Sequence, residues 1–121
     1  MVNKNRLREL VADVFMLDSQ VRYVEVFNSR GVGVEGGMRP GVKSVDPPRT
    51  AAKVDFETAR YALLLMRLNK YYGKMKYMYV EMERVNVLVV PMDTWVLIVT
   101  TNPPAGLDLL EKVQQTITRY K

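Results

Sequence analysis

The sequence predicts an α+β fold, a five-stranded antiparallel sheet with helices on both faces. Three observations carry this. Helical and strand periodicities follow one another as helix, two strands, helix, three strands, helix. The strand segments are joined mostly by short turns, which implies hairpins and an antiparallel sheet. Residues 85–90 and 95–101 are almost continuously apolar. Strands of that kind are buried on both faces, and three helices cover both faces only by dividing between them.

Composition bounds the function. The 121 residues suggest one domain, residues 1–121, and an apolar content of 48 % is enough for a core. Cysteine and histidine are both absent. That removes disulfides, thiolate chemistry, the usual zinc ligands and the commonest general base, and it counts against an enzyme. The net charge of +5 favours acidic partners only weakly. The amino-terminal residues carry Glu9 and Asp13 inside their apolar periodicity, unlike a leader peptide. No stretch reaches the length of a membrane span. The expected compartment is the cytoplasm, and no cofactor is expected.

The first helix covers residues 5–18, with Leu7, Leu10, Val11, Val14 and Leu17 on one stripe and Asn3 or Asn5 as cap. Residues 21–27, rich in β-branched and aromatic side chains, form the first strand. Asn28 to Gly31 turn the chain, and residues 32–38 return as a glycine-weakened edge strand. Residues 39–48 contain three prolines and a glycine, so they form a loop.

Residues 50–73 read as one long helix with two apolar stripes. Stepping about 100° per residue, Val54, Tyr61, Leu65, Leu68 and Tyr72 cluster on one side. Phe56, Ala59, Leu63 and Met66 cluster on the opposite side. A helix on one face of a small domain needs one apolar stripe. The larger stripe is therefore assigned to the core, and Phe56, Ala59, Leu63 and Met66 to a dimer interface. Gly73 ends the helix, and Lys70 and Lys74 lie where its dipole favours cations.

Residues 76–83 alternate as a third strand, with Met78, Val80 and Met82 on the inner face. A reversal at Glu83-Arg84 leads to the fourth strand at 85–90, and residues 91–94 turn into the fifth at 95–101. Residues 102–106 break the chain. Asp108 and Glu111 resemble a capping box for a last helix that runs to about Tyr120, with Leu110, Val113 and Ile117 inward.

Several short motifs carry a family resemblance. They are Val21-Arg22-Tyr23, Gly36-Gly37-Met38-Arg39-Pro40-Gly41-Val42, Tyr71-Tyr72-Gly73-Lys74, Glu83-Arg84-Val85 and Val90-Pro91-Met92-Asp93. With the element order, they make residues 5–120 resemble the roadblock family of dynein-associated and GTPase-regulating modules, a roadblock/profilin-like fold. An archaeal family of small roadblock-like proteins is the nearer resemblance. It implies the strand order 2-1-5-4-3, with the outer helices on one face and the long helix on the other. It also implies homodimers in which long helices and third strands meet, and a role as scaffold or regulator of a small GTPase. The family offers no catalytic motif to transfer.

Three constellations have plainer explanations. Gly31 to Gly36 matches G-x-G-x-x-G, but glycines and a proline follow where a dinucleotide site needs a helix, so a hairpin is expected. Arg67, Lys70, Lys74 and Lys76, interleaved with tyrosines, form a basic patch that could bind a nucleic-acid backbone. A solvated helix end explains it more simply. Glu81 and Glu83, about 7 Å apart on one strand face, are read as solvated rather than as an acid–base pair. The expected function is a non-enzymatic homodimeric interaction module. Its partners are a second copy and a small GTPase or other protein. The alternatives are a nucleic-acid-binding module using residues 67–76 and a small-ligand-sensing domain with an apolar pocket between sheet and helix.

Overall fold

The computed structural model describes residues 3–43 and 51–120. The sequence-predicted loop from 44 and the first residue of the long helix, Thr50, fall outside them. The elements are α1 (Lys4–Leu17), β1 (Val21–Phe27), β2 (Gly33–Met38), α2 (Ala51–Leu65), a 3-10 turn (Met66–Leu68) and α3 (Asn69–Tyr72). They continue with β3 (Met78–Glu81), β4 (Asn86–Met92), β5 (Trp95–Thr101) and α4 (Leu107–Thr118). The five strands form one sheet in the order β2-β1-β5-β4-β3, with every pairing antiparallel.

The core lies in two layers. On one face α1 and α4 lay Leu7, Leu10, Val14, Leu110, Val113 and Ile117 over Val21, Val24, Val26, Leu88, Leu97 and Val99. On the other face α2 brings Ala59 and Ala62 against Tyr23, Phe27, Val89, Val96 and Ile98. Strict alternation would put Val21 and Val24 on opposite faces. A bulge resolves this. Val21 and Tyr23 oppose the successive residues Thr101 and Thr100, so Arg22 is an extra residue and the parity of β1 flips there.

Asn3 caps α1, its Oδ1 accepting from Arg6 N at 2.9 Å. The long helical run tightens to 3-10 geometry over Met66–Leu68 before α3, so it is three pieces in sequence, not one regular helix. Gly73 ends it at φ +87°, a conformation that suits glycine. Asn69 finishes the stop, its Oδ1 accepting from Met75 N at 2.9 Å.

Other boundaries also move. Glu83 and Met82 lie beyond β3, and Met82 is exposed, so it is not core. The strand expected at 85–90 begins at Asn86 and runs through Pro91 to Met92. Proline is tolerated there because β3 pairs with β4 only as far as Val89. Only Asp93 and Thr94 remain for the hairpin turn, with Asp93 at φ +64°. The cap of α4 is Gly106 with no side-chain bond, and Asp108 sits in the first turn instead, where a carboxylate still suits the helix dipole.

Arg39 explains why the end of β2 is distinctive. Its Nε donates to Val21 O at 2.7 Å, and its Nη2 donates to Phe15 O at 2.7 Å and Asp18 O at 2.9 Å. The guanidinium also lies 5.1 Å from the Phe15 ring centroid. One side chain thus satisfies carbonyls at the end of α1 and the start of β1. Arg39→Ala is expected to cost about 2–4 kcal/mol, since several charge-assisted bonds go at once. Arg39→Lys should recover little of it, because an ammonium lacks the planar fork. Urea denaturation followed by circular dichroism measures both.

Candidate interaction surface

Small side chains decide how α2 sits. Ala59 and Ala62 are fully buried on the sheet, and their lack of bulk lets the helix backbone approach it closely. Leu63 and Met66 pack beside them, half-buried, on the same cluster. The sequence-predicted interface residues Ala59, Leu63 and Met66 therefore face the chain's own sheet. Phe56, the fourth, is 39 % exposed, with Arg60 stacked at 5.6 Å from its ring centroid.

The stripe assigned to the core is turned outward. Tyr61 is 58 % exposed, Leu68 42 % and Tyr72 82 %, and Leu64 joins them at 54 %. Val54 is exposed and Leu65 half-buried. The helix is two-faced, but its buried line runs between the two stripes: Ala59, Leu63 and Met66 lie toward the sheet, Val54, Tyr61, Leu68 and Tyr72 are exposed, Leu65 is half-buried and Phe56 stays exposed. Beside the helix, β3 is an edge strand. Met78 packs under the helix, whereas Val80 stays exposed. Exposed apolar residues thus run along α2 and along the neighbouring sheet edge.

Between them opens a groove of about 1030 Å³. Val54, Asp55 and Thr58 of α2 form one wall, and Glu81 to Val85 form the other. Tyr23, Met38, Val87, Ile98 and Thr100 make the floor, with Arg22 at one end. Asn86 holds the second wall in place. Its Oδ1 accepts from Met82 N at 3.3 Å, and its Nδ2 donates to Ala105 O at 3.0 Å. Arg22 is tied back, donating to Asn102 Oδ1 at 2.9 Å and to Lys43 O at 2.5 Å.

Sequence reasoning missed a cluster at the back of this groove. The Tyr23 hydroxyl donates a short hydrogen bond to Glu25. Burial, and then the Glu25 and Asp55 carboxylates, push the Tyr23 hydroxyl far above its ordinary range. Burial also raises the Glu25 carboxyl, and the Asp55 charge adds to this, against the opposing hydrogen bond from Tyr23. Gly33 beside it leaves room for the Glu25 side chain in this position. A Cβ at Gly33 would overlap the Glu25 carboxylate. The signal available in the sequence was a glutamate at a strand position whose neighbours two residues away, Tyr23 and Phe27, are buried.

The raised Glu25 value sets a pH dependence. The folded chain holds this proton more tightly than the unfolded chain, so the contribution to stability is full below the ordinary value of 4.5. It is lost as pH rises from there through the raised folded value. Glu25→Gln should flatten this part of the profile and raise stability at neutral pH. Unfolding free energies taken across that window would show the change, and an unaltered slope in the variant would disprove it.

The sequence-predicted basic patch is exposed at all four positions, Arg67, Lys70, Lys74 and Lys76, and Lys70 Nζ lies 5.1 Å from the Tyr71 ring centroid. The G-x-G-x-x-G run forms the β1–β2 turn and β2, as a hairpin. Among the described residues no group of three or more Asp or Glu is placed to hold a metal, and no helix is long and apolar enough to cross a membrane.

No protein-family model matches the chain, and no curated protein matches it. Solved structures do. MglB of Myxococcus xanthus is 14 % identical, with 97 % of this chain and 95 % of that chain covered at a TM-score of 0.71. A roadblock/LC7 domain from Streptomyces avermitilis is 12 % identical, with 93 % and 92 % covered at 0.68. An MglB in a tetrameric arrangement is 15 % identical, with 96 % and 88 % covered at 0.68. The fold of this chain is roadblock-like, with the strand order that the resemblance implied.

Proposed function

We propose that residues 1–121 form one roadblock-like unit that acts, without catalysis of its own, as a homodimeric interaction module. The dimer surface is the outward stripe of α2 and α3, with Tyr61, Leu64, Leu68 and Tyr72, continued by the free edge of β3 and Val80. This replaces Ala59, Leu63 and Met66, which the chain's own sheet occupies. The observation that carries the reading is a run of large apolar side chains left exposed on a helix whose other side is already packed. Exposed apolar surface of that kind marks association sites. Beside it, the outer edge of β3 is paired by no described residue, which supports pairing with a second copy. The tetrameric arrangement of a fold relative adds support.

The further role, taken from the resemblance, is to scaffold or regulate a small GTPase in the cytoplasm. Sedimentation equilibrium tests the first part, with a mass of twice 13.9 kDa expected at micromolar concentration. Co-purification of tagged chain from the source cells, followed by mass spectrometry, tests the second. Recovery of a small GTPase whose retention depends on the bound nucleotide supports it. Recovery of nucleic acid with no GTPase would move the reading to residues 67–76.

A further inference from the structure

We infer that the corner where the α2–α3 run meets β3 binds single-stranded nucleic acid, its lysines on phosphates and its tyrosines against bases. This goes beyond the homodimer reading and does not rest on it.

The cations come first. Arg67, Lys70, Lys74 and Lys76 are exposed, and residues 58–80 contain no aspartate or glutamate. Among the described residues no carboxylate forms an ion pair with any of the four. Their arrangement follows from the backbone. Gly73 stops the helix, and Asn69 Oδ1 accepts from Met75 N at 2.9 Å, which pins the segment that follows. Met75 packs inward on the second core layer, so Lys74 and Lys76 on either side of it are left in water. Gln114 of α4 holds the segment from another side, its Nε2 donating to Lys76 O at 3.5 Å. Glu111, one turn earlier on α4, opposes the patch, but as one carboxylate against four cations.

The rings decide the partner. A solvated helix end accounts for the cations but not for Tyr71 at 71 % exposed and Tyr77 at 43 %. Large rings left in water beside unpaired cations mark a surface that something else covers. Lys70 Nζ lies 5.1 Å from the Tyr71 ring centroid, so a charge for a phosphate and a face for a base are held side by side. A single strand offers its base faces to such rings, whereas a duplex keeps them stacked on one another. An acidic peptide would use the cations and leave the rings idle. A lipid surface would need an apolar wedge. Met66 and Met75 pack inward instead, and Leu68 lies on the dimer stripe. Tyr72 also belongs to that stripe. Tyr71 stands about 100° from it around the helix, so both surfaces are available at once.

Fluorescence anisotropy of a labelled oligothymidylate of about twelve nucleotides, titrated with the full chain, tests this. Affinity should fall about fiftyfold between about 50 and 200 mM salt, as four neutralised phosphates on a single strand require. Lys70→Gln/Lys74→Gln/Lys76→Gln should bind at least about tenfold more weakly at the lower salt and lose most of that salt dependence. Tyr71→Ala should weaken binding at least about fivefold with the salt dependence unchanged, since stacking releases no counterions. All four positions are exposed, and circular dichroism checks that each variant folds. The proposal falls if the wild type ignores the oligonucleotide at the lower salt, or if the lysine variant binds as the wild type does. It falls too if Tyr71→Ala costs nothing or a duplex of the same length binds as tightly, since the patch then attracts any polyanion. Capture of the chain by phosphatidylserine vesicles but not by the oligonucleotide would make the partner a lipid surface and overturn it as well.

Discussion

Ala62→Arg should strip α2 from the sheet and leave the chain largely unfolded, although it changes one of the smallest side chains in the molecule. Ala62 is fully buried where the helix meets Tyr23, Val89 and Ile98. A guanidinium there has two choices. It stays buried without a partner, or it lifts the helix and exposes the whole second core layer. An uncompensated buried charge costs about 3–5 kcal/mol. Domains of this size hold only about 5–15 kcal/mol in total. Leu64→Arg, two positions on and outward, should change monomer stability by about 0.5 kcal/mol or less. Urea titrations at concentrations below dimerisation compare the two. A stable Ala62→Arg chain would mean that α2 does not seat on the sheet as described.

The same alanine marks where sequence reading failed. With Tyr61 at zero and about 100° per residue, Ala62 falls near 100° and Ala59 near 160°. The buried line thus runs between the two apolar stripes, and Ala62 belongs to neither. A reading weighted by large apolar side chains looks past an interface built from small ones. Asp55, Thr58 and Asn69 lie along the same half-buried side, which disguised it further. The strands were more legible, because alternation with a period of two leaves little freedom. Even there, the bulge at Arg22 was invisible, since an extra residue in a ladder is a property of the pairing. The groove was legible only in part. Its carboxylates Glu81 and Glu83 stood out, but Glu25 and Tyr23 came together through β1, and Asp55 joined them through the turn of α2.

The strand order belongs to a third category. Hairpin signals place β1 beside β2 and β4 between β3 and β5, and nothing local says that β5 should insert beside β1. That pairing is long-range, with Val24 opposite Val99. It came from the family resemblance, not from periodicity, and the sheet has it.

The second large effect concerns the outward stripe. Leu64→Arg together with Tyr61→Arg should leave a folded monomer and abolish the dimer across the micromolar range. Both side chains are more than half exposed, so the fold does not depend on them. They lie near the middle of the helical run, where an antiparallel partner would cross. Central, well-covered residues dominate interface energies, and losses of about 2 kcal/mol or more per anchor are common. The two-fold axis doubles each loss and sets the new arginines against their own copies. Together these predict a dimer weakened by at least about a hundredfold, since each 1.4 kcal/mol is a factor of ten. Light scattering gives the mass, and circular dichroism with urea titration gives the fold. Leu63→Arg is the informative control. It faces the sheet, so it should reduce stability while the outward pair does not. If the outward pair unfolds the chain as badly as Ala62→Arg, the stripe is covered within one copy. If it leaves the dimer intact, the copies meet elsewhere, and the free edge of β3 becomes the next surface to disrupt.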